Sequence, residues 1–242
     1  GGAGIVFYEE TAVEDRGRKT HKCAGLYRDD QIAEYRRIAT FVKEFGGVPA
    51  MQLGHSGARA SERGPLFNRD ALTDSNSAEG GDPWQSISSS AVTPIEGKPL
   101  PRAMTQADID DVVQAFAEAT LRTLKAGFEI LEIHGAHGYL IQQFLSPVIN
   151  RRNDAYGGEL NGRMRYALEV AEAVRAAWPE ELPLFFRISS IDGPADGNVS
   201  FCVPSIANFY PRRWQPDKEG VAVKGRTNNG LANTGVGVVK AG

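Results

Sequence analysis

The feature that most constrains this chain is a repeated alternation of short apolar runs with amphipathic helical stretches. Ile5-Val6-Phe7-Tyr8 precedes Ile32, Tyr35, Ile38, Ala39, Val42 and Phe45 at helical spacing, and Val48 to Leu53 follows as a second apolar run. Ile109, Val112, Val113, Phe116 and Leu124 then mark a helix before Phe128 to His134, and a helix over about 161–178 leads into Leu184-Phe185-Phe186-Arg187-Ile188. Parallel strands can be joined only through crossovers, so strand, helix, strand, helix in repetition predicts βαβ units and an α/β fold. The first run, behind its glycines, predicts a strand buried on both faces. Local signals agree on where helices begin and end. Asp29 is the expected N-cap of the first helix and Gly46-Gly47 its stop, Thr105 with Asp108 forms a capping-box pattern, and Pro179 closes the third helix.

Two stretches break the rhythm. The loop 54–103 is rich in Gly, Pro, Ser and Asn, too long for a neutral connection, and reads as a functional loop and candidate lid. Residues 190–242 are rich in Gly and Asn and lack a helical period, so they read as a separate tail and a candidate for disorder behind a domain spanning 1–189. Composition excludes several partners. Lys and Arg number 27 against 30 Asp and Glu, which leaves no basic field for nucleic acid or an anionic membrane. No apolar run approaches the ~20 residues that span a bilayer. The two cysteines, Cys23 and Cys202, are remote from one another, which argues against a disulfide framework and for a reducing, cytoplasmic setting. The chain opens on Gly1 rather than Met, which suggests an incomplete or processed chain.

Side-chain parity along the strands locates the chemistry. Met51 and Leu53 share one face of their strand while Gln52 takes the other; Leu131 and Ile133 oppose Glu132 and His134; Phe186 and Ile188 oppose Arg187. Each strand therefore carries a polar side chain near its C-terminal end, where parallel barrels build active sites. The bland reading is that Gln52, Glu132 and Arg187 satisfy one another inside a core. Where the third strand ends, His134-Gly135-Ala136-His137 places two imidazoles that can converge on one atom. They could ligate a metal, hydrogen-bond a ligand, or pack as satisfied core histidines. A zinc site would need a further ligand that the sequence does not offer in any familiar spacing, so no metal is assigned.

Glu132-Ile133-His134-Gly135-Ala136-His137-Gly138-Tyr139-Leu140-Ile141-Gln142-Gln143-Phe144-Leu145-Ser146-Pro147 and Asn150 to Gly158 closely resemble the old yellow enzyme family of FMN-dependent ene-reductases. Met51 to Ser61 resembles the family's third-strand motif and Glu9 to Val13 its second-strand motif, so the resemblance runs over about residues 1–197. It implies a TIM (β/α)8 barrel, here partial, matching strands two to five with a non-matching C-terminal tail. It implies FMN as cofactor, NAD(P)H as hydride donor, and a small-molecule substrate with an activated C=C bond beside a carbonyl. Gln52 and Arg187 match the residues at the flavin ring edge, His134 and His137 the pair that holds the substrate carbonyl, and Tyr139 the proton donor. His55 lies in a matching motif without a role assigned to it. The two-histidine form resembles the bacterial branch, and two remote cysteines argue against the iron-sulfur relatives. A homo-oligomer is compatible with the resemblance.

There are departures. Glu10 stands where a small residue is common beside the flavin, and Ala58, Asn153, Glu159 and Gly162 replace other family residues. The loops expected to hold the FMN phosphate are not recognised, so the alternative is a catalytically silent barrel fragment.

Overall fold

Hydrogen bonding turns the expected rhythm into one main five-stranded sheet in the computed structural model, which describes residues 2–67, 69–93, 98–189 and 204–208. In chain order the elements are β1 (Ile5–Ala12), α1 (Ile32–Glu44), β2 (Val48–Gly54), α2 (Ser77–Gly80), β3 (Ile87–Ser88), β4 (Arg102–Ala103), α3 (Gln106–Lys125), β5 (Ile130–Gly135), α4 (Leu140–Leu145), α5 (Leu160–Ala177), β6 (Leu184–Ser189) and β7 (Pro204–Asn208). The main sheet has the order β1-β2-β5-β6-β7, and its first four strands are parallel. Each new strand joins the same growing edge, with α1, α3 and α5 as the crossovers. That is half of the TIM-barrel pattern.

The core lies between this sheet and the helices. Met51, Leu53, Leu131, Ile133 and Phe186 point outward from the strands into a cluster with Tyr35, Ile109, Val112, Phe116, Tyr166, Val170 and Val174. Their burial fixes the strand register, because a slip of one residue would send every polar neighbour into this layer.

Several local expectations needed correction. The first strand is not buried on both faces: Ile5, Val6 and Phe7 are 49%, 40% and 43% exposed. Among the described residues β1 is an edge strand that pairs with β2, with one further bridge from Ala12 to Gly25, and burial begins at Thr11 and Ala12. Asp29 does not cap α1. A 3-10 turn over Asp29–Gln31 precedes the helix, and the Gln31 side chain reaches back to accept from the backbone N–H groups of Tyr27 and Arg28, leaving Asp29 to pair with Arg122 at 2.8 Å. β7 runs antiparallel to β6, unlike any barrel strand. The rest of the expected tail lies outside the described residues.

The described residues of the loop 54–103 are pinned rather than free. Ile87–Ser88 pairs in parallel with Arg102–Ala103. Glu62 and Lys98 form a buried ion pair at 3.0 Å, and the Ser89 hydroxyl donates to the Gln143 carbonyl at 2.6 Å. The Arg152 guanidinium reaches the carbonyl oxygens of Ser89 and Met104 at 3.0 and 2.7 Å. Such strapping opposes a lid motion over most of its length. Among the described residues no helix is long and apolar enough to cross a membrane.

The expected capping box at α3 forms and extends. The Thr105 hydroxyl accepts from the Asp108 N–H at 3.2 Å, and Asp108 accepts from the Thr105 N–H at 2.8 Å. Asp108 also takes two hydrogen bonds from Arg102 at 2.7 Å and one from Arg16 at 3.1 Å, which hold its carboxyl well below the usual carboxylate range. A depressed folded-state pKa contributes stability above the unfolded value of ~3.9 that fades as the pH falls below it. Thr105→Ala should cost about 1 kcal/mol in urea unfolding at neutral pH. Asp108→Asn should cost more at pH 7 than at pH 3, since at the lower pH the parental carboxylate is itself losing its charge.

Candidate active site

The inner face of the sheet collects the polar side chains that parity predicts. Register places Glu10 beside Gln52 and Gln52 beside Glu132, while one step along the same face His134 sits beside Arg187. Gln52 donates through Nε2 to Glu132, so these two do satisfy each other, as the bland reading expects. Burial pushes the Glu132 carboxyl up, against the opposing pull of Gln52 and Arg187. Arg187 does not join that pair: its Nε is buried and without a hydrogen-bond partner. A buried donor left open costs free energy unless a ligand completes it.

The two histidines meet. His137 Nδ1 lies 3.2 Å from His134 Nε2, with the rings edge to face. The Ala136 N–H donates to His134 Nδ1 at 3.2 Å, which leaves the His134 proton on Nε2, directed at His137. Burial, the neighbouring imidazole and Arg187 press His134 down to about 2; burial, with Arg187, Lys19 and Arg59, presses His137 to about 4. Both are therefore neutral at pH 7. A neutral pair can offer N–H donors to an uncharged oxygen without the cost of burying two cations.

Keeping the second ring in place requires an unfavourable backbone. His137 has φ +60, a left-handed conformation that costs a non-glycine residue roughly 1–3 kcal/mol. Several contacts hold it. The His137 N–H donates to Ser189 Oγ at 3.1 Å, Arg59 donates to the His137 carbonyl at 2.6 Å, and the Gly138 N–H donates to Gln142 Oε1 at 2.6 Å. Gln142 Oε1 also accepts from Ser189 Oγ at 2.8 Å, tying β6 to α4. Gln143, fully buried, accepts from the Ala58 N–H and donates to the carbonyls of Gly138 and Ser56. A Cβ on Gly57 would collide with Gln143 Oε1, so only glycine permits this contact. Ser189, Gln142 and Gln143 were not singled out from the sequence as site residues. Only the polarity of two adjacent glutamines on a short, largely buried helix hints at them.

Tyr139 completes the group, its ring 5.0 Å from His134 and 6.3 Å from His137. Lys19 Nζ lies 4.5 Å and the Arg59 guanidinium 5.1 Å from the centre of the same ring. His55 stands apart from this work. Its Nδ1 accepts from the Gly57 N–H at 3.0 Å, so its proton sits on Nε2 and is donated to Glu14 at 2.8 Å, where it joins the ends of β1 and β2. Among the described residues no group of three or more His, Cys, Asp or Glu side chains could hold a metal.

A family model, that of the NADH:flavin oxidoreductase / NADH oxidase family, matches residues 1–210. The chain belongs to this family. The match extends past residue 197, where the motif-by-motif resemblance ends, and takes in β7. An NADH:flavin oxidoreductase of Gibberella zeae is 39% identical over 192 residues, covering 79% of this chain and 46% of its own length. An NADPH dehydrogenase of a Geobacillus species is 38% identical over 221 residues, covering 91% of this chain and 57% of its own. Morphinone reductase superposes with a TM-score of 0.65 at 28% identity, over 77% of this chain and 50% of that one. The chain thus spans about half the length of the curated relatives that it matches.

The residues present fit the ring edge of the family's flavin. The open Arg187 Nε is a buried, cationic donor suited to an electron-rich ring edge, and the bond to Glu132 orients the Gln52 amide so that its Oε1 is left to accept. The neutrality of the histidines has a measurable consequence. Side-chain 15N shifts should show His137 titrating near pH 4 and His134 lower still, so both rings stay neutral from pH 5 to 8. An unfolded histidine binds its proton near ~6.5, so stability should fall as the pH drops from 6.5 toward 4. His137→Gln should flatten that slope in urea titrations at pH 7 and 5.

Proposed function

We propose that this chain carries the substrate-binding and acid-base half of an FMN-dependent NAD(P)H oxidoreductase that reduces the activated C=C bond of α,β-unsaturated carbonyl compounds. The observation that carries the reading is the neutral His134–His137 pair, 3.2 Å apart and flanked by Tyr139 and Arg187, whose buried Nε is open. The names NADPH dehydrogenase and morphinone reductase among its relatives support it. Bound against Gln52 and Arg187, FMN would supply hydride chemistry between NAD(P)H and the substrate.

The residues of this chain supply the rest. A carbonyl oxygen entering between the histidines meets the His134 Nε2–H directly. His137 can donate to the same oxygen when its proton is on Nδ1, so ligand binding replaces the bond between the rings and selects that tautomer. Two donors fixed by the surrounding backbone stabilise charge that develops on the oxygen during reduction. Tyr139 carries an O–H donor and serves as the acid that protonates the substrate α-carbon. Arg187 places positive charge where the reduced cofactor becomes electron-rich, and Glu132 holds Gln52 in the orientation that faces the ring.

Two measurements test this. FMN titrated into the purified chain should be bound only weakly, with quenching of its fluorescence, because the loops expected to hold its phosphate are not recognised in the sequence, and Arg187→Met should weaken that binding by roughly tenfold or more, as expected for losing a charged hydrogen bond. Failure to bind FMN would favour the silent barrel fragment instead. In the flavin-loaded protein, Tyr139→Phe should slow the enone-dependent half of turnover by about two or more orders of magnitude while sparing the NAD(P)H-dependent half. Stopped-flow traces that slow equally in both halves would show that Tyr139 shapes the site and does not protonate.

A further inference from the structure

The histidine pair sits in a field of three cations. Arg187, Lys19 and Arg59 all act on His137, and all three also act on His134. Arg187 has a use at the proposed ring edge. Lys19 and Arg59 do not, because binding a neutral carbonyl needs only N–H donors. Both lie against the Tyr139 ring, at 4.5 and 5.1 Å. Arg59 uses Nη1 on the His137 carbonyl, while its Nε is buried with no partner. Among the described residues the acidic side chain paired with Lys19 is Glu10, at 3.8 Å, too long for a good hydrogen bond, and the ammonium also meets the Tyr139 hydroxyl. Burial pushes the Glu10 carboxyl up, and its Oε1 is left without a partner. Burial opposes the Lys19 charge, yet Glu10 and the Tyr139 hydroxyl outweigh it and hold the ammonium protonated. The positive charge beside Tyr139 is therefore only partly balanced by the protein.

From this arrangement we propose that Lys19 and Arg59 form an anion-binding subsite beside Tyr139, so that the compound taken by this pocket carries a carboxylate as well as the carbonyl held by the histidines. The proposal deepens the small-molecule oxidoreductase reading and rests on it for the carbonyl. A carboxylate offers about four acceptor positions, enough to use the open Arg59 Nε and the Lys19 ammonium together. A substrate without the acid would leave those donors unmatched, which is how a polar site discriminates between close analogues.

The residues concerned are all held by this chain without cofactor, so binding can be read on the chain itself. The probes are 4-oxopentanoate, an unreactive ketone with a carboxylate, and its methyl ester, each titrated while the imidazole signals of His134 and His137 are followed by NMR. The acid should bind on the order of tenfold tighter than the ester, the effect of one charge-assisted hydrogen bond, and the preference should shrink with added salt. Lys19→Met should abolish most of that preference and leave the ester's affinity unchanged, whereas Lys19→Arg should keep it. Equal affinity for acid and ester, or no binding of either, overturns the subsite. So does a Lys19→Met protein that loses both ligands equally, because the lysine would then only prop the Tyr139 ring. FMN binding is scored separately. A chain that takes FMN without the charge preference loses the subsite and keeps the oxidoreductase reading, and the opposite pattern does the reverse.

Discussion

The parallel register of β2, β5 and β6 is the constraint on which the rest depends. Each strand has two faces, and burial of Met51, Leu53, Leu131, Ile133 and Phe186 against the helices commits one of them. Gln52, Glu132, His134 and Arg187 are thereby driven to the other face and, through the register, into adjacent positions. The hydrophobic layer thus sets the geometry of the polar one. The polar contacts between these strands depend on that register, which explains why a hydrogen-bonded pair such as Gln52–Glu132 can be reached from residues 80 apart in sequence.

In energetic terms the site withholds charge from some groups and concentrates it on others. Burial raises Glu10 and Glu132 and lowers His134 and His137, each change favouring the neutral form. The guanidinium groups cannot neutralise in this way, so Arg187 and Arg59 keep their charge, and each has a buried Nε without a partner. Neutral acceptors and donors beside fixed cations form a region that favours electron-rich ligand atoms. The backbone strain at His137 belongs to the same design, since the contacts from Ser189, Arg59 and Gln142 that hold it come from three different elements. The site is made by β6, α4 and the pinned loop together, and loosening any one would release the second imidazole.

Much of this was legible in the residues. The βαβ rhythm, the capping box at Thr105 and Asp108, and the inward face of Gln52, Glu132, His134 and Arg187 follow from periodicities of 3.6 and 2, which are local properties of the chain. The motif around His134, His137 and Tyr139 named the family. Other features were not legible because they depend on partners distant in sequence. β1 reads as a buried strand, but an apolar run cannot say how many neighbours it will have, and among the described residues the strand beside it is β2 alone. Asp29 has the right identity for a cap, yet a 3-10 turn over Asp29–Gln31 precedes the helix and the Asp29 carboxylate pairs with Arg122 instead. The sequence by itself determined the fold class and which side chains share a face, because those depend on spacing along the backbone. Only the tertiary structure decided that Gln52 pairs with Glu132, that Arg187 is left open, that His55 serves as a clamp, and that Lys19 and Arg59 converge on Tyr139, because each requires chain segments remote in sequence to be brought within a few ångströms by the packing of the core.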